Sequence, residues 1–322
     1  MRLLLVRHAE TVDNVAGVYA GSRDSGLTAH GALQARRLAA FLASGSLGPV
    51  RRVFSSDLRR AVETARVIVE DLEKKRRDAV QAGIPPEPLE GDREEKRKDR
   101  PENQFVPELI QVQDLRERDF GAAEGESFRT ARARGALAAA GAESTEQMRL
   151  RAERFVRNHL APALTSSDDA GGVVVVVSHG IILGSLLRVL FAQFGDPGET
   201  QRLEASGPIA WHNTGYVELA VEHQRTSSLG KKVPTDDADD GNASGDRTFS
   251  STASSMGTGK SQRQRPAIRL SVVAVNVRTH LEGLKKTRGG IGSALFDKRQ
   301  RTMESFFGPP AKKSKTKGPG TN

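Results

Sequence analysis

Hydrophobic residues fall along this chain in two alternating kinds of segment. Short aliphatic runs bounded by polar residues read as buried strands: "LLLV" at 3–6, "VRRVFSS" at 50–56 and "VVVVV" at 173–177. Between them, apolar positions recur at helical spacing. Thr28 is placed to cap a helix carrying Leu33, Leu38, Phe41 and Leu42, which "SGSLGP" ends. Leu58, Ala61, Val62, Ala65, Ile68 and Val69 share one face of a helix over "SDLRRAVETARVIVEDL". "FVPELIQVQDL" reads as a further strand, and Ser144 with Gln147 forms a capping box for a helix over "TEQMRLRAERFVRNHL". The helix "IILGSLLRVLFAQF" follows the valine run, and "TGYVELAVEH" and "AIRLSVVAVNV" are two later strands. Strands alternating with helices predict an α/β fold with a mainly parallel sheet.

Two stretches break this rhythm. Residues 73–106 carry mixed charges and prolines with almost no large apolar residue, and read as a helix end running into a solvated insertion. Residues 224–266 are rich in Ser, Gly, Asp and Thr and read as disordered. The "GTGKS" within them is not a phosphate loop, because Ser254 stands where the first glycine is needed and no strand precedes it. The core ends after Leu281. One domain over 1–282 with two insertions, followed by a disordered basic tail over 283–322, is the organisation these features imply.

Composition narrows the chemistry. The 322 residues carry a net charge of +9, which favours phosphorylated or polyanionic partners. There are no cysteines, so disulfides, thiolate metal sites and a thiol nucleophile are excluded. The apolar start is too short for a signal sequence or a membrane span. The expectation is a soluble protein, nuclear or cytoplasmic and not secreted.

In parallel sheets ligands bind beyond the carboxyl ends of the strands. Arg7-His8 follows the first strand, Ser55-Ser56 with Arg59 and Arg60 follows the second, and Ser178-His179-Gly180 follows the valine run at a helix start. These basic groups converge on one rim, as a phosphate site requires.

"LLLVRHAET", "GSRDSGLTAHGALQA", "VFSSDLRRAVETA", "LRERDFGAAEGES" and "VVVVVSHGIIL" occur in this order. Together they resemble the histidine phosphatase, or phosphoglycerate mutase-like, superfamily over about residues 1–220, with "VNVRTHL" as its resumption. The resemblance implies a three-layer α/β/α fold and a phosphoryl-transfer site. In it His8 is the nucleophile that becomes phosphohistidine, kept neutral by neighbouring cations. Arg7, Arg60, His179 and Asn14 hold the phosphate oxygens, with Thr11 lining the same loop. Arg60 is chosen over Arg59 because it precedes the alanine of "RAxxTA". Glu117, in "LRERDFG", is the general acid and base, with Glu124 as runner-up. No metal or other cofactor is implied. The substrate is a phosphorylated small molecule or phosphopeptide.

Two departures favour phosphatase over mutase. Ile181 stands where the glycolytic mutases have a polar residue, and 128–137 lack a counterpart to their carboxylate-binding lysine region. Mutase-type transfer and a non-catalytic adaptor are the alternative readings.

In the tail, Gln300, Met303, Phe306 and Phe307 have the spacing Q-x-x-M-x-x-F-F. This resembles the box by which replication and repair proteins dock on the sliding clamp PCNA. One helical turn would present Met303, Phe306 and Phe307 to an apolar cleft. The flanking lysines and arginines read as a nuclear-localisation signal or a weak nucleic-acid contact.

Overall fold

The computed structural model describes residues 1–83, 107–133, 141–166, 171–205, 207, 209–223, 268–287 and 290–297. The clamp-box residues Gln300, Met303, Phe306 and Phe307 lie outside these, as do the whole of 224–266 and most of the 73–106 insertion.

Six strands form one sheet: β1 (Arg2–Arg7), β2 (Val50–Ser55), β3 (Leu109–Gln111), β4 (Val173–Ser178), β5 (Tyr216–His223) and β6 (Ile268–Val277), in the order β3-β2-β4-β1-β5-β6. The first four run parallel, and β5 and β6 are antiparallel to their neighbours, so the sheet is mixed. β1 and β4 occupy the centre, and Leu3–Val6 and Val173–Val177 are wholly buried. That burial on both faces explains why these strands read as unbroken aliphatic runs rather than as alternating patterns.

Alternation instead decides which layer each side chain joins. Leu4, Val6, Val173, Val175 and Val177 pack against Leu38, Ala61, Ala65 and Ile68. Those four come from α2 (Ala29–Ser44) and α3 (Arg59–Gln81). Leu3, Leu5, Val174 and Val176 face the opposite layer. That layer holds α5 (Thr145–Phe155), continued by a π-helical turn over Val156–Leu160, then α6 (Ala161–Thr165) and α7 (Gly180–Phe194). Two shorter helices, α1 (Val12–Ala16) and α4 (Phe128–Ala133), lie near the ends of the strands, and α8 (Pro197–Ala205) follows α7. The result is the expected three-layer α/β/α arrangement.

Several sequence expectations change in detail. The strand expected over "FVPELIQVQDL" is only three residues long. After Val112 donates to Ser55 O, the chain turns into a 3₁₀ helix at Gln113–Leu115. Polar anchors hold it there: Ser178 Oγ donates to Leu115 O at 2.6 Å, and the Arg151 guanidinium donates to the carbonyls of Asp114 and Arg116. This pulls the segment off the sheet edge and carries Glu117 toward the start of α7. Leu33 does not join the core; it is 39% exposed, because the buried stripe of α2 runs through Ala32, Ala35, Leu38, Ala39 and Leu42. Beyond Leu281 the described residues return to the domain. Ala29 N–H bonds Ala294 O, Phe296 N–H bonds Leu27 O, and Arg36 lies over the Phe296 ring.

Candidate active site

The register of the two central strands sets the site. Val6 pairs with Val177 and Arg7 with Ser178, so His8 and His179 leave the sheet side by side. Their ring centroids are 5.1 Å apart. Next to them β2 ends opposite Val177, and the chain turns into α3, whose second residue is Arg60.

His8 is 3% exposed, and its backbone N–H donates to Ser178 O. Its Nδ1 lies 2.7 Å from Ala9 O. A carbonyl can only accept, so Nδ1 carries the proton and Nε2 keeps its lone pair. Burial, reinforced by Arg60 and then Arg7, holds the imidazole well below the usual histidine range, against the opposing bond to Ala9 O. Thr64 fixes this loop, accepting from Ala9 N–H at 3.1 Å and donating to Arg60 O at 2.7 Å.

His179 packs behind His8 and Arg60 and is fully buried. Its Nδ1 is 3.1 Å from Arg60 Nε, which can only donate, so the His179 proton sits on Nε2. That nitrogen is buried with no hydrogen-bond partner among the described residues. Burial first, then Arg60, His8 and Arg7, push this imidazole well down too.

Both arginines are aimed by backbone oxygens. Arg60, 1% exposed, donates to Arg23 O and Gly21 O at 2.7 Å each. Arg7 donates to Trp211 O at 2.7 Å, and its Nε is buried without a partner. Desolvation lowers both guanidinium groups from their ordinary value and Glu117 opposes it, yet an arginine so lowered still keeps its proton near neutral pH. Arg59 instead points outward to Glu63.

Asn14 sits in the capping box of α1 with Thr11, and its Oδ1 also accepts from Asn213 Nδ2 at 3.0 Å. Glu117 lies at the first turn of α7, accepting from Ile181 and Ile182 N–H at 3.3 Å. Arg7, His8, Asn14, Arg60 and Glu117 all line one cavity of about 1040 Å³. The runner-up Glu124 is not part of it, because its carboxylate clamps Ser22.

The sequence reading missed the anchors Trp211 and Asn213, and Asn213 also donates to His8 O. β5 runs antiparallel, so it presents its leading end, "WHNTG", at the rim where the parallel strands present their trailing ends. A search confined to carboxyl ends passes over it. Among the described residues no group of three or more His, Asp or Glu could hold a metal ion, and no helix is long and apolar enough to cross a membrane.

The buried neutral histidines have a consequence for stability. For His8, His179 and His280, the last pushed down to about 4 by burial, the folded pKa lies below the unfolded value of 6.5. Below pH 6.5 the unfolded chain therefore binds more protons than the folded one. Stability is full above that point and falls with acidification, by up to about 1.4 kcal/mol per pH unit for each histidine. A thermal midpoint that drops steeply between pH 6.5 and 5 is expected. A flat midpoint over that window would contradict the neutral assignment.

A family model described as the histidine phosphatase superfamily (branch 1) matches residues 3–81 and 101–229. A Schizosaccharomyces pombe protein described as a probable phosphatase is 29% identical over 308 residues, 94% of this chain and 78% of that one. The adenosylcobalamin/alpha-ribazole phosphatase of Salmonella typhimurium is 47% identical over 70 residues, 22% of this chain and 33% of that protein. Among solved structures, mycobacterial hydrolase 1 aligns with a TM-score of 0.52 at 21% identity, covering 86% of this chain and 98% of that one. Mycobacterial hydrolase 2 aligns with a TM-score of 0.52 at 20% identity, covering 85% and 90%. At these identities the structural likeness speaks for the fold alone.

Proposed function

Because the chain belongs to the histidine phosphatase superfamily (branch 1), a family of hydrolases, we propose that it is a phosphomonoesterase working through a phosphohistidine at His8 without a metal ion. The observation that carries this reading is the His8 ring: Nδ1 is tied to Ala9 O, and Nε2 keeps its lone pair in a pocket of buried cations.

In the first step the Nε2 lone pair forms a bond to phosphorus as the bond from phosphorus to the alcohol oxygen breaks. Arg7, Arg60, the Asn14 amide and His179 Nε2–H stabilise the charge spread over the phosphoryl oxygens. Glu117 gives its proton to the departing alkoxide, which is otherwise a poor leaving group. In the second step Glu117 takes a proton from water, the water oxygen attacks phosphorus, and the N–P electrons return to His8. Inorganic phosphate is released. Hydrolysis is favoured over mutase-type transfer because Ile181 stands where the glycolytic mutases have a polar residue and 128–137 lack a counterpart to their carboxylate-binding lysine region.

The test is to quench turnover of a ³²P-labelled monoester in alkali, in the presence of a chelator. Label should remain on His8, stable to base and lost in acid. Loss of activity on chelation, or no protein-bound label, would reject the reading.

We also propose, from the sequence motif, that the tail tethers the enzyme to the sliding clamp PCNA through Gln300, Met303, Phe306 and Phe307, with weak nucleic-acid contact by its basic residues. A peptide of residues 298–317 is expected to bind purified clamp with micromolar affinity, about −8 kcal/mol. Replacing both Phe306 and Phe307 by Ala should cost several kcal/mol, the range of interface anchors. Equal binding by the two peptides would remove the tether.

A further inference from the structure

The phosphate-binding groups occupy one end of a cavity of about 1040 Å³, at the top of the range of about 300–1,000 Å³ that suits drug-sized ligands. The rest must serve the alcohol part of the substrate, and its walls are apolar. Tyr19, Phe120, Phe128, Ile181, Ile209 and Trp211 line it. Tyr19 lies tilted against Phe120 with ring centroids 4.4 Å apart and meets Phe128 edge-on at 4.7 Å, forming a continuous aromatic wall. Phe128 is nevertheless 44% exposed and Ile181 39% exposed, although nothing in the fold requires either to face solvent. Trp211 is largely buried, and its indole packs against α7 where Gly180 and Gly184 carry no side chain, leaving only its edge on the cavity.

Ile181 also stands where the mutases have a polar residue, and Phe128 begins the 128–137 segment that lacks a counterpart to their lysine region. Phe128, from α4, and Ile181, from α7, open onto the same space and present apolar surface to it. Apart from Arg7, Arg60 and Glu117 at the phosphate end, the charged residues lining the cavity are Arg149, Glu153 and Arg188. Arg149 is neutralised by Glu146 and Glu153, and Arg188 lies two turns along α7 from Ile181, about 11 Å at 1.5 Å per residue.

We infer that the enzyme is selective for phosphomonoesters of bulky, flat, apolar alcohols, with Phe128 and Ile181 as specificity-determining residues. This rests on the phosphatase reading above and adds the substrate class to it. The alcohol lies against the aromatic wall, and its apolar surface leaves water as it binds. Offset or edge-on stacking on the accessible rings of Tyr19 and Phe128, which Phe120 and Trp211 back from within the core, rewards a flat ring system over a branched aliphatic one.

The experiment compares two esters of primary alcohols, ethyl phosphate and 2-(naphthyl)ethyl phosphate, so that leaving-group chemistry is matched. For the wild type, kcat/KM for the naphthyl ester should exceed that for the ethyl ester by at least about tenfold, chiefly through KM. Covering only about 55 Å² of apolar surface supplies that factor. Phe128→Ala and, independently, Ile181→Ser should each reduce this ratio about threefold or more. If both esters are hydrolysed through a trapped phosphohistidine with equal kcat/KM, the selectivity is refuted and the phosphatase reading stands. If the wild-type ratio is large but neither variant changes it, the assignment of these residues is overturned. If neither ester is turned over and no phosphoenzyme forms, the phosphatase reading fails and this inference falls with it.

Discussion

Phosphate release is expected to stop in His8→Ala, with a loss in kcat/KM of at least about 10⁴-fold, the scale on which removal of a covalent nucleophile acts. No neighbouring group can take over. The Nδ1 lone pair of His179 is already engaged by Arg60 Nε at 3.1 Å, and its Nε2 carries the proton. Glu117 is held at the first turn of α7 by two backbone N–H groups. Binding should survive, because Arg7 and Arg60 are aimed by the carbonyls of Trp211, Arg23 and Gly21 rather than by His8. Calorimetry should therefore show substrate bound by the variant with a dissociation constant within a few-fold of the wild type, while quenched samples carry no label. Added imidazole, occupying the space of the missing ring, should restore measurable turnover. A His8→Ala protein that still forms a labelled adduct would move the nucleophile elsewhere.

Glu117→Gln is expected to divide substrates by leaving group. For an alkyl ester the loss should be about 10²–10⁴-fold, the usual worth of a positioned general acid. For p-nitrophenyl phosphate, whose leaving group needs no proton, formation of the phosphoenzyme should be nearly unchanged. Its hydrolysis should slow, because water loses its base. The two predictions together give a burst of nitrophenol followed by a slow steady state, with phosphohistidine accumulating. Equal losses on both esters without a burst would mean that Glu117 only braces the start of α7.

Much of this site could be read directly from the chain, and the reason is geometric. A parallel sheet delivers its loops to one rim, so residues that follow aliphatic runs share that rim whatever their separation in sequence. Arg7, His8, Arg60 and His179 all obey this rule, and the structure brings them together. Glu117 does not follow a regular strand, and only the motif around it pointed to the site. Its approach depends on Ser178 Oγ and the Arg151 guanidinium drawing the 113–116 segment inward, contacts that no local pattern encodes. Asn213 and Trp211 escaped notice because the strand they precede runs the other way. Leu33 was misplaced because a single leucine fits an apolar face by type, whereas the phase set by Ala32, Ala35 and Ala39 excludes it. Small residues carry that phase, and they are quiet in a hydropathy pattern.

The in-register pairing of β1 with β4 also dictates when this protein can become an enzyme during its synthesis. Val6 finds Val177 only once the chain has grown 171 positions beyond it, and the partner strand β5 lies later still. Closing so long a loop carries an entropic cost that must be met before the contact rewards it, so central pairing comes late in folding. A nascent chain that has emerged only as far as α6 has His8 but neither the strand that aligns it nor the second histidine behind it. The proposed phosphoryl-transfer site therefore comes into being in one late event, and the growing polypeptide passes through most of its length without it.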